Sequence, residues 1–311
     1  MALPFSQSLV KGRKTKTHSN VMNKPILKVL SLGAGVQSST LALLAEAGGI
    51  TKPDCAIFAD TGHEPRHTRT FDPGSGKWIT GGIYGWLDWL ESQVSFPIYR
   101  VHKGNLFEVA AEVRLSQKSG KLYMKGLIPA FIDKGDGKPG LLGRKCTADY
   151  KIIPIQQKVR ELLGVKRGGK SVACEMWVGI SMDEVIRMKP SRVPYIRNTW
   201  PLIDLGMTRQ DCLRWLSSNG YPIAPRSACV GCPFHGDDEW RNLQENSPLD
   251  FAAAVADEQR LQDAARRQEA LDGMPYLHGS CQPLDTITFS DRASYGQLEM
   301  FGNECEGMCG V

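Results

Sequence analysis

The stretch from Ile26 to Gly62, ILKVLSLGAGVQSSTLALLAEAGGITKPDCAIFADTG, decides the fold. Ile26–Leu32 is a short apolar run that suits a strand buried on both faces of a parallel sheet. Gly33–Gln37 reads as a turn, and Ser38–Ala47 has helical periodicity ended by Gly48 and Gly49. Ala56–Ala59 makes a second strand running into Asp60-Thr61-Gly62. Strand, loop, helix and strand in this order predict an α/β protein with a doubly wound, mostly parallel sheet, whose ligands bind at the carboxyl ends of the strands. Small residues between a strand and a helix leave room for an anion at the unpaired helix amides. No Gly-Lys-Ser/Thr follows the glycines, so this is not a Walker A loop. Glycine spacing alone does not separate a phosphate cradle from a tight turn.

Downstream, Phe71–Gly82 carries five glycines and prolines and reads as an inserted loop. Ile83–Gln93 is expected to be helical, with Trp86, Trp89 and Leu90 on its core stripe, and Phe96–Val101 a third strand. Asn105–Leu115 reads as a helix, and the long Gly- and Lys-rich Ser116–Gly143 as a mobile lid. Lys151–Leu163 is expected to be helical and Glu175–Ile180 a fourth strand. Thr208 and Asp211 have capping-box spacing, and Pro248–Leu271 is a long Ala-rich helix. Three regions are expected: a flexible basic arm over 1–25, a nucleotide-binding domain over 26–235, and a helical, then irregular, cysteine-bearing extension over 236–311.

Of the 311 residues, 41% are hydrophobic and 23% charged, as in ordinary soluble proteins. No run approaches the roughly 20 apolar residues that span a bilayer, and the first ten lack a secretory pattern. A cytoplasmic protein without a membrane partner is expected. The net charge is +5, and Lys11, Arg13, Lys14, Lys16, Lys24 and Lys28 all precede the first acidic residue, Glu46. Such an arm can touch a nucleic-acid backbone or stay solvated.

Nine cysteines are many for a reducing compartment. Cys229 and Cys232 form a CxxC, Cys305 and Cys309 a CxxxC, and Cys146 stands beside Arg144 and Lys145. Cys55, Cys174, Cys212 and Cys281 read as buried fillers, with Cys212 a fallback ligand. A CxxC serves zinc, iron–sulfur clusters and dithiol redox chemistry alike. His63 follows the second strand, and His235 is near enough to the CxxC to be a ligand or to brace one.

The segment Ser31–Thr40 resembles the PP-loop of the ATP pyrophosphatase superfamily, usually S-G-G-x-D-S. Gly35-Val36-Gln37 matches the S-F-G-x-Q-A-A variant of the phosphoadenosine phosphosulfate and adenosine phosphosulfate reductases. Asp60-Thr61-Gly62 with Glu64-Pro65 resembles their D-T-G-x-x-x-x-E-T. Cys146, Lys151 and Pro154 resemble C-C-x-x-x-K-x-x-P. Gly179-Ile180-Ser181 with Asp183, Glu184 and Arg187 resembles G-x-R-x-x-E/Q-S-x-x-R, and Trp200–Asp204 resembles R-x-x-P-L-x-D-W. The likeness runs over about residues 28–235 and implies an adenine nucleotide alpha hydrolase-like fold. It implies that Ser31, Gly33, Gly35, Gln37, Ser38, Ser39, Asp60, Thr61 and Gly62 bind an adenine nucleotide, helped by Arg144, Lys145, Lys151 and Arg187. Gln37 replaces the aspartate used to split ATP, which favours a sulfonucleotide over ATP.

The same resemblance implies a 4Fe–4S cluster on Cys146, Cys229 and Cys232, with zinc as the other metal. The family's paired cysteine is here Cys146-Thr147, so one ligand is missing; Cys309 or Cys305 is the candidate replacement, or one iron stays open. The tail Glu304-Cys305-Glu306 loosely resembles the reductase terminus E-C-G-x-H, which implies Cys305 as nucleophile. A thioredoxin-like thiol donor would then regenerate it. The leading expectation is a sulfonucleotide reductase-like enzyme acting on an adenylyl sulfate. The alternatives are a sulfurtransferase acting on DNA or tRNA, and a non-catalytic nucleotide-binding module with structural zinc.

Overall fold

The structure, a computed structural model, describes residues 26–135, 139–165 and 172–289. Five strands form the central sheet: β1 (Leu27–Leu32), β2 (Cys55–Asp60), β3 (Ile98–His102), β4 (Cys174–Val178) and β5 (Ile196–Thr199). Their order is β5-β4-β1-β2-β3, with every neighbouring pair parallel. The protein is thus mixed α/β around an all-parallel sheet. The order reverses between β1 and β4, so the loops that follow these two strands lead to opposite sides of the strand order.

Alternation along the strands sends side chains to two faces. Leu30, Leu32, Ala56, Phe58 and Trp177 share one apolar cluster with helices α1 (Val36–Glu46), α2 (Gly82–Gln93) and a later helix, Arg209–Ser218. Val29, Ile57, Met176 and Val178 share another with Ile155 and Val159 of the helix Ile153–Leu163. Both faces are therefore covered, which explains why the strands read as unbroken apolar runs. Cys55 and Cys174 fill the second cluster and Cys212 the first; burial pushes each thiol up to about 12, so they are unreactive packing groups. Cys281 differs from its sequence reading, being only partly buried.

A third apolar cluster gathers Phe107, Leu127, Ile128, Trp240, Phe251, Leu261 and Leu277 around Cys229 and Cys232. Here the structure departs most from the periodicity. The expected inserted loop contains a hairpin, Thr70–Asp72 against Lys77–Ile79. The helix expected over Asn105–Leu115 stops after Leu106–Ala110, because Val113–Leu115 pairs with Leu122–Met124 instead. The expected lid is anchored in its middle: Leu127, Ile128, Ala130 and Ile132 are buried, and Phe131–Asp133 pairs with Gly140–Leu141 and with Met274–Tyr276. Two further helices, Asp237–Asn246 and Pro248–Arg266, pack together over this cluster. The Thr208 capping box forms as expected. Among the described residues no helix is long and apolar enough to cross a membrane.

The helix Pro248–Arg266 fastens its surroundings through buried carboxylates. Asp250 accepts from the amides of Arg66 and His67 at 3.1 and 2.9 Å. Glu258 accepts from those of Leu277 and Leu284 at 2.8 and 2.7 Å. Burial raises the Glu258 pKa despite those two donors. The folded protein then holds a proton that the unfolded chain has released. Stability conferred at low pH is therefore lost as pH rises from the ordinary glutamate value through the raised one. Glu258→Gln should abolish that decline, as measured by urea unfolding across the acid range; parallel pH profiles for both proteins would contradict it.

Candidate functional site

Three loops meet at the carboxyl edge of β4, β1 and β2. After β1, Ala34 adopts φ +61°, an uncommon conformation for a residue with a side chain, and Gly35 is the extended residue before α1. The Gly33 amide donates to Ser38 Oγ at 3.2 Å, closing the turn. No side chain caps α1 and no acid of its own lies in its first turn. Ser31, Ser38 and Ser39 are buried. Ser39 holds the loop from behind, its hydroxyl accepting the Trp86 indole N–H at 3.1 Å. After β4, a Cβ at Gly179 would lie 3.0 Å from the Ser38 nitrogen, so that strand end touches the start of α1.

Gln37 joins these two loops. Its Nε2 donates to Ser181 Oγ at 3.4 Å and Glu184 Oε2 at 3.3 Å, and its Oε1 accepts from Arg209 at 3.2 Å. Glu184 is also paired with Arg187, which brings that sequence-selected cation to the loop. Arg209 was not legible in the motifs, because only the capping-box turn at Thr208 delivers it. Gln37→Ala removes all three bonds and should weaken adenine-nucleotide affinity at least tenfold, with about 1–3 kcal/mol of stability lost. Gln37→Glu should do worse, since it sets a carboxylate against Glu184. Unchanged affinity by calorimetry in both variants would contradict this assignment.

After β2, Asp60 Oδ1 accepts from the Gly62 amide at 2.7 Å and the Tyr84 hydroxyl at 2.9 Å. Burial and the Asp60 carboxylate push the Tyr84 pKa up, so its hydroxyl stays protonated as a donor. Gly62 sits at φ +72° with the Asn105 Cα only 2.9 Å from where a Cβ would stand; no other residue fits. Asn105 caps the helix Leu106–Ala110 and donates to the Gly62 carbonyl at 3.2 Å.

The CxxC segment lies across these loops. Ser227 Cβ would be 3.6 Å from a side chain at Gly35, and the Val230 amide donates to the His63 carbonyl at 2.9 Å. Thr61 Oγ1 lies 3.2 Å from Cys229 Sγ and donates to Glu64 Oε1 at 3.1 Å. A Cβ at Gly231 would fall 2.8 Å from the Phe107 ring, so the middle of the CxxC must be glycine. His63 pairs with the buried Asp257 and packs on Phe107. His235 braces the turn: its Nε2 faces the Cys229 and Val230 carbonyls at 3.0 and 3.2 Å, and its Nδ1 faces Glu239 at 3.2 Å. Burial and Arg226 push its pKa down to about 3, whereas two ring nitrogens that both face acceptors favour the protonated form. Both ring nitrogens are thus committed, so His235 supports the cysteines rather than joining them.

Cys146 packs against the same apolar cluster as Cys229 and Cys232. It precedes a π-helical turn, Thr147–Ile152, in which Lys151 is 5% exposed. Such turns are rare and recur at functional sites. Lys103 Nζ donates to the Asp149 carbonyl at 3.0 Å, and Lys125 reaches its carboxylate at 3.3 Å. Arg144 lies over the Phe234 ring, 5.4 Å from its centroid, beside the CxxC, while Lys145 is exposed. Cys305 and Cys309 lie outside the described residues, as does the basic arm over 1–25. Among the described residues, no group of three or more His, Cys, Asp or Glu is arranged to hold a metal ion. Compared with models of known protein families and with curated proteins, the chain matches none.

Proposed function

We propose that the chain binds an adenine nucleotide at this edge and performs sulfur chemistry on it, as a sulfonucleotide reductase-like enzyme built on a doubly wound sheet. The observation that carries the reading is the 3.2 Å contact between Cys229 Sγ and Thr61 Oγ1, a buried thiol against the loop that follows β2. The neighbouring loops offer the start of α1, which no side chain caps, for an anion, and Asp60 with Tyr84 for a hydroxyl-bearing group. Arg187 and Arg209 add positive charge beside Gln37.

In this reading the loop amides and cations hold the phosphosulfate of an adenylyl sulfate. The Cys305 thiolate attacks sulfur, forming an S–S bond while the S–O bond to the phosphate breaks and the nucleotide monophosphate leaves. A dithiol of the thioredoxin type then attacks the cysteine sulfur, releases sulfite and, through its second thiol, returns Cys305 as the thiolate. Cys146, Cys229 and Cys232, with Cys309, are the thiols that would hold a 4Fe–4S cluster or zinc, which would supply positive charge beside the anion. The described ligands do not complete such a site, and no step above depends on it.

A single cysteine at 146, with threonine at 147, favours the second reading, a sulfurtransferase acting on nucleic acid. Labelled adenylyl sulfate with a dithiol separates the two. Sulfite release that is lost in Cys305→Ser supports the first. Label appearing in added nucleic acid supports the second, and neither outcome would leave a nucleotide-binding module.

A further inference from the structure

The hairpin between the β2 loop and α2 is unaccounted for by sulfur chemistry. Phe71 and Trp78 stand directly opposite each other across it, 46% and 53% exposed, with ring centroids 5.4 Å apart at 63°. The Arg69 guanidinium lies 4.7 Å from the Trp78 ring centroid. Exposed Arg66, Arg69 and Lys77 make no ion pair among the described residues. The hairpin's one acid, Asp72, is buried and spent on its own turn, accepting from the Gly74 amide at 3.0 Å and Ser75 Oγ at 2.7 Å.

We infer that this hairpin is a stacking platform for an unpaired base of single-stranded nucleic acid. A cross-strand aromatic pair by itself would only steady a hairpin. Half-exposed rings set among cations, with the hairpin's own carboxylate buried, suit a partner that carries flat π-surfaces on a polyanionic backbone. A duplex offers no such free base face along its length. The platform is also connected to the end of β2: Arg66 lies 4.4 Å from the Tyr84 ring centroid, and Tyr84 donates to Asp60. A strand held at Trp78 is thereby led toward the β2 loop. The inference goes beyond the sulfur reading and does not require it.

The test uses the full chain and fluorescently labelled mixed-sequence oligonucleotides, one DNA and one RNA, with a blunt duplex beside them, followed by anisotropy at several salt concentrations. Single strands should bind more tightly than the duplex. Trp78→Ala and Phe71→Ala should each weaken binding about tenfold or more. Arg69→Gln and Lys77→Gln should flatten the salt dependence. Preference for one sugar over the other identifies DNA or RNA as the partner. Adenylyl sulfate titrated into the same proteins reports the nucleotide site separately, and its affinity should not change in the hairpin variants. No binding of either single strand overturns the proposal. So does binding that Trp78→Ala and Phe71→Ala leave intact, which would assign it to cations elsewhere in the chain.

Discussion

Trp86→Ala should lower the free energy of unfolding by about 3–5 kcal/mol, the range for removing a large aromatic side chain from a packed core. Trp86, on α2, is fully buried in the cluster it shares with α1 and is stacked on Trp89 with ring centroids 4.7 Å apart. It also binds the nucleotide loop, because its indole N–H meets Ser39 Oγ at 3.1 Å. Two effects are therefore combined, and Trp86→Phe separates them. Phenylalanine fills much of the volume but removes the donor, at a cost of about 1–2 kcal/mol. If the hydrogen bond sets the loop, Trp86→Phe should weaken nucleotide binding out of proportion to its stability loss. Urea unfolding and calorimetry give the two quantities. A stability loss below about 1 kcal/mol for Trp86→Ala would show that this core collapses around the hole.

The parallel sheet was legible because both faces of each strand are covered. Leu30 and Val29 point to opposite clusters and both are fully buried, so neither interrupts the apolar run. The helix stripe on α2 was legible for the same reason of one-sided burial: Trp86 and Leu90 are enclosed, and Trp89 packs on the cluster's edge. Short strands were not legible. Val113 and Leu115 continue a pattern that also fits a helix, and only pairing with Met124 and Leu122 resolves it. The segment 116–143 read as loose because of its glycines and lysines, yet Leu127 receives the amides of Lys145 and Cys146 on its carbonyl and is itself buried. Non-local pairing of this kind leaves little trace in a local window.

The site divides along the same line. Gly62 and Gly35 stand where a strand–loop–helix pattern needs small residues, so the loops were found from the motifs. The contact of Thr61 with Cys229 joins residues 168 positions apart. No spacing rule relates them. Their meeting depends on the third core cluster, where Phe107 leaves room only for Gly231. Likewise, nothing local assigns Asp257 to His63, since that pair forms only when the Pro248–Arg266 helix lies against the β2 loop.

If the proposed sulfur chemistry holds, Cys229→Ala should abolish metal loading and turnover together, and Thr61→Val should show why. Cys229 and Cys232 are 7% exposed and arranged in a turn where the Cys232 amide donates to the Cys229 carbonyl at 3.0 Å. Both lie in an apolar cluster, but Cys229 also meets Thr61 Oγ1 beside the β2 loop, whereas Cys212 is fully buried among apolar side chains and Thr40. On the proposed reading, anaerobic purification should yield iron or zinc with the wild type and with Cys212→Ala but not with Cys229→Ala. Thr61→Val deletes the hydroxyl next to Cys229 while conserving shape. A hydroxyl that orients a ligand thiol is worth about 10–100-fold in metal affinity or activity, so this variant should fall between the wild type and Cys229→Ala. Metal content, visible spectrum and sulfite release measured on one preparation discriminate the cases. Four irons and four sulfides per chain, lost together with sulfite release, would support a cluster acting in the sulfonucleotide reaction. One zinc lost without any change in nucleotide binding would make the CxxC a structural knot. Full metal content and full turnover in Cys229→Ala would remove the cysteine from the mechanism, leaving its 3.2 Å contact with Thr61 as packing alone.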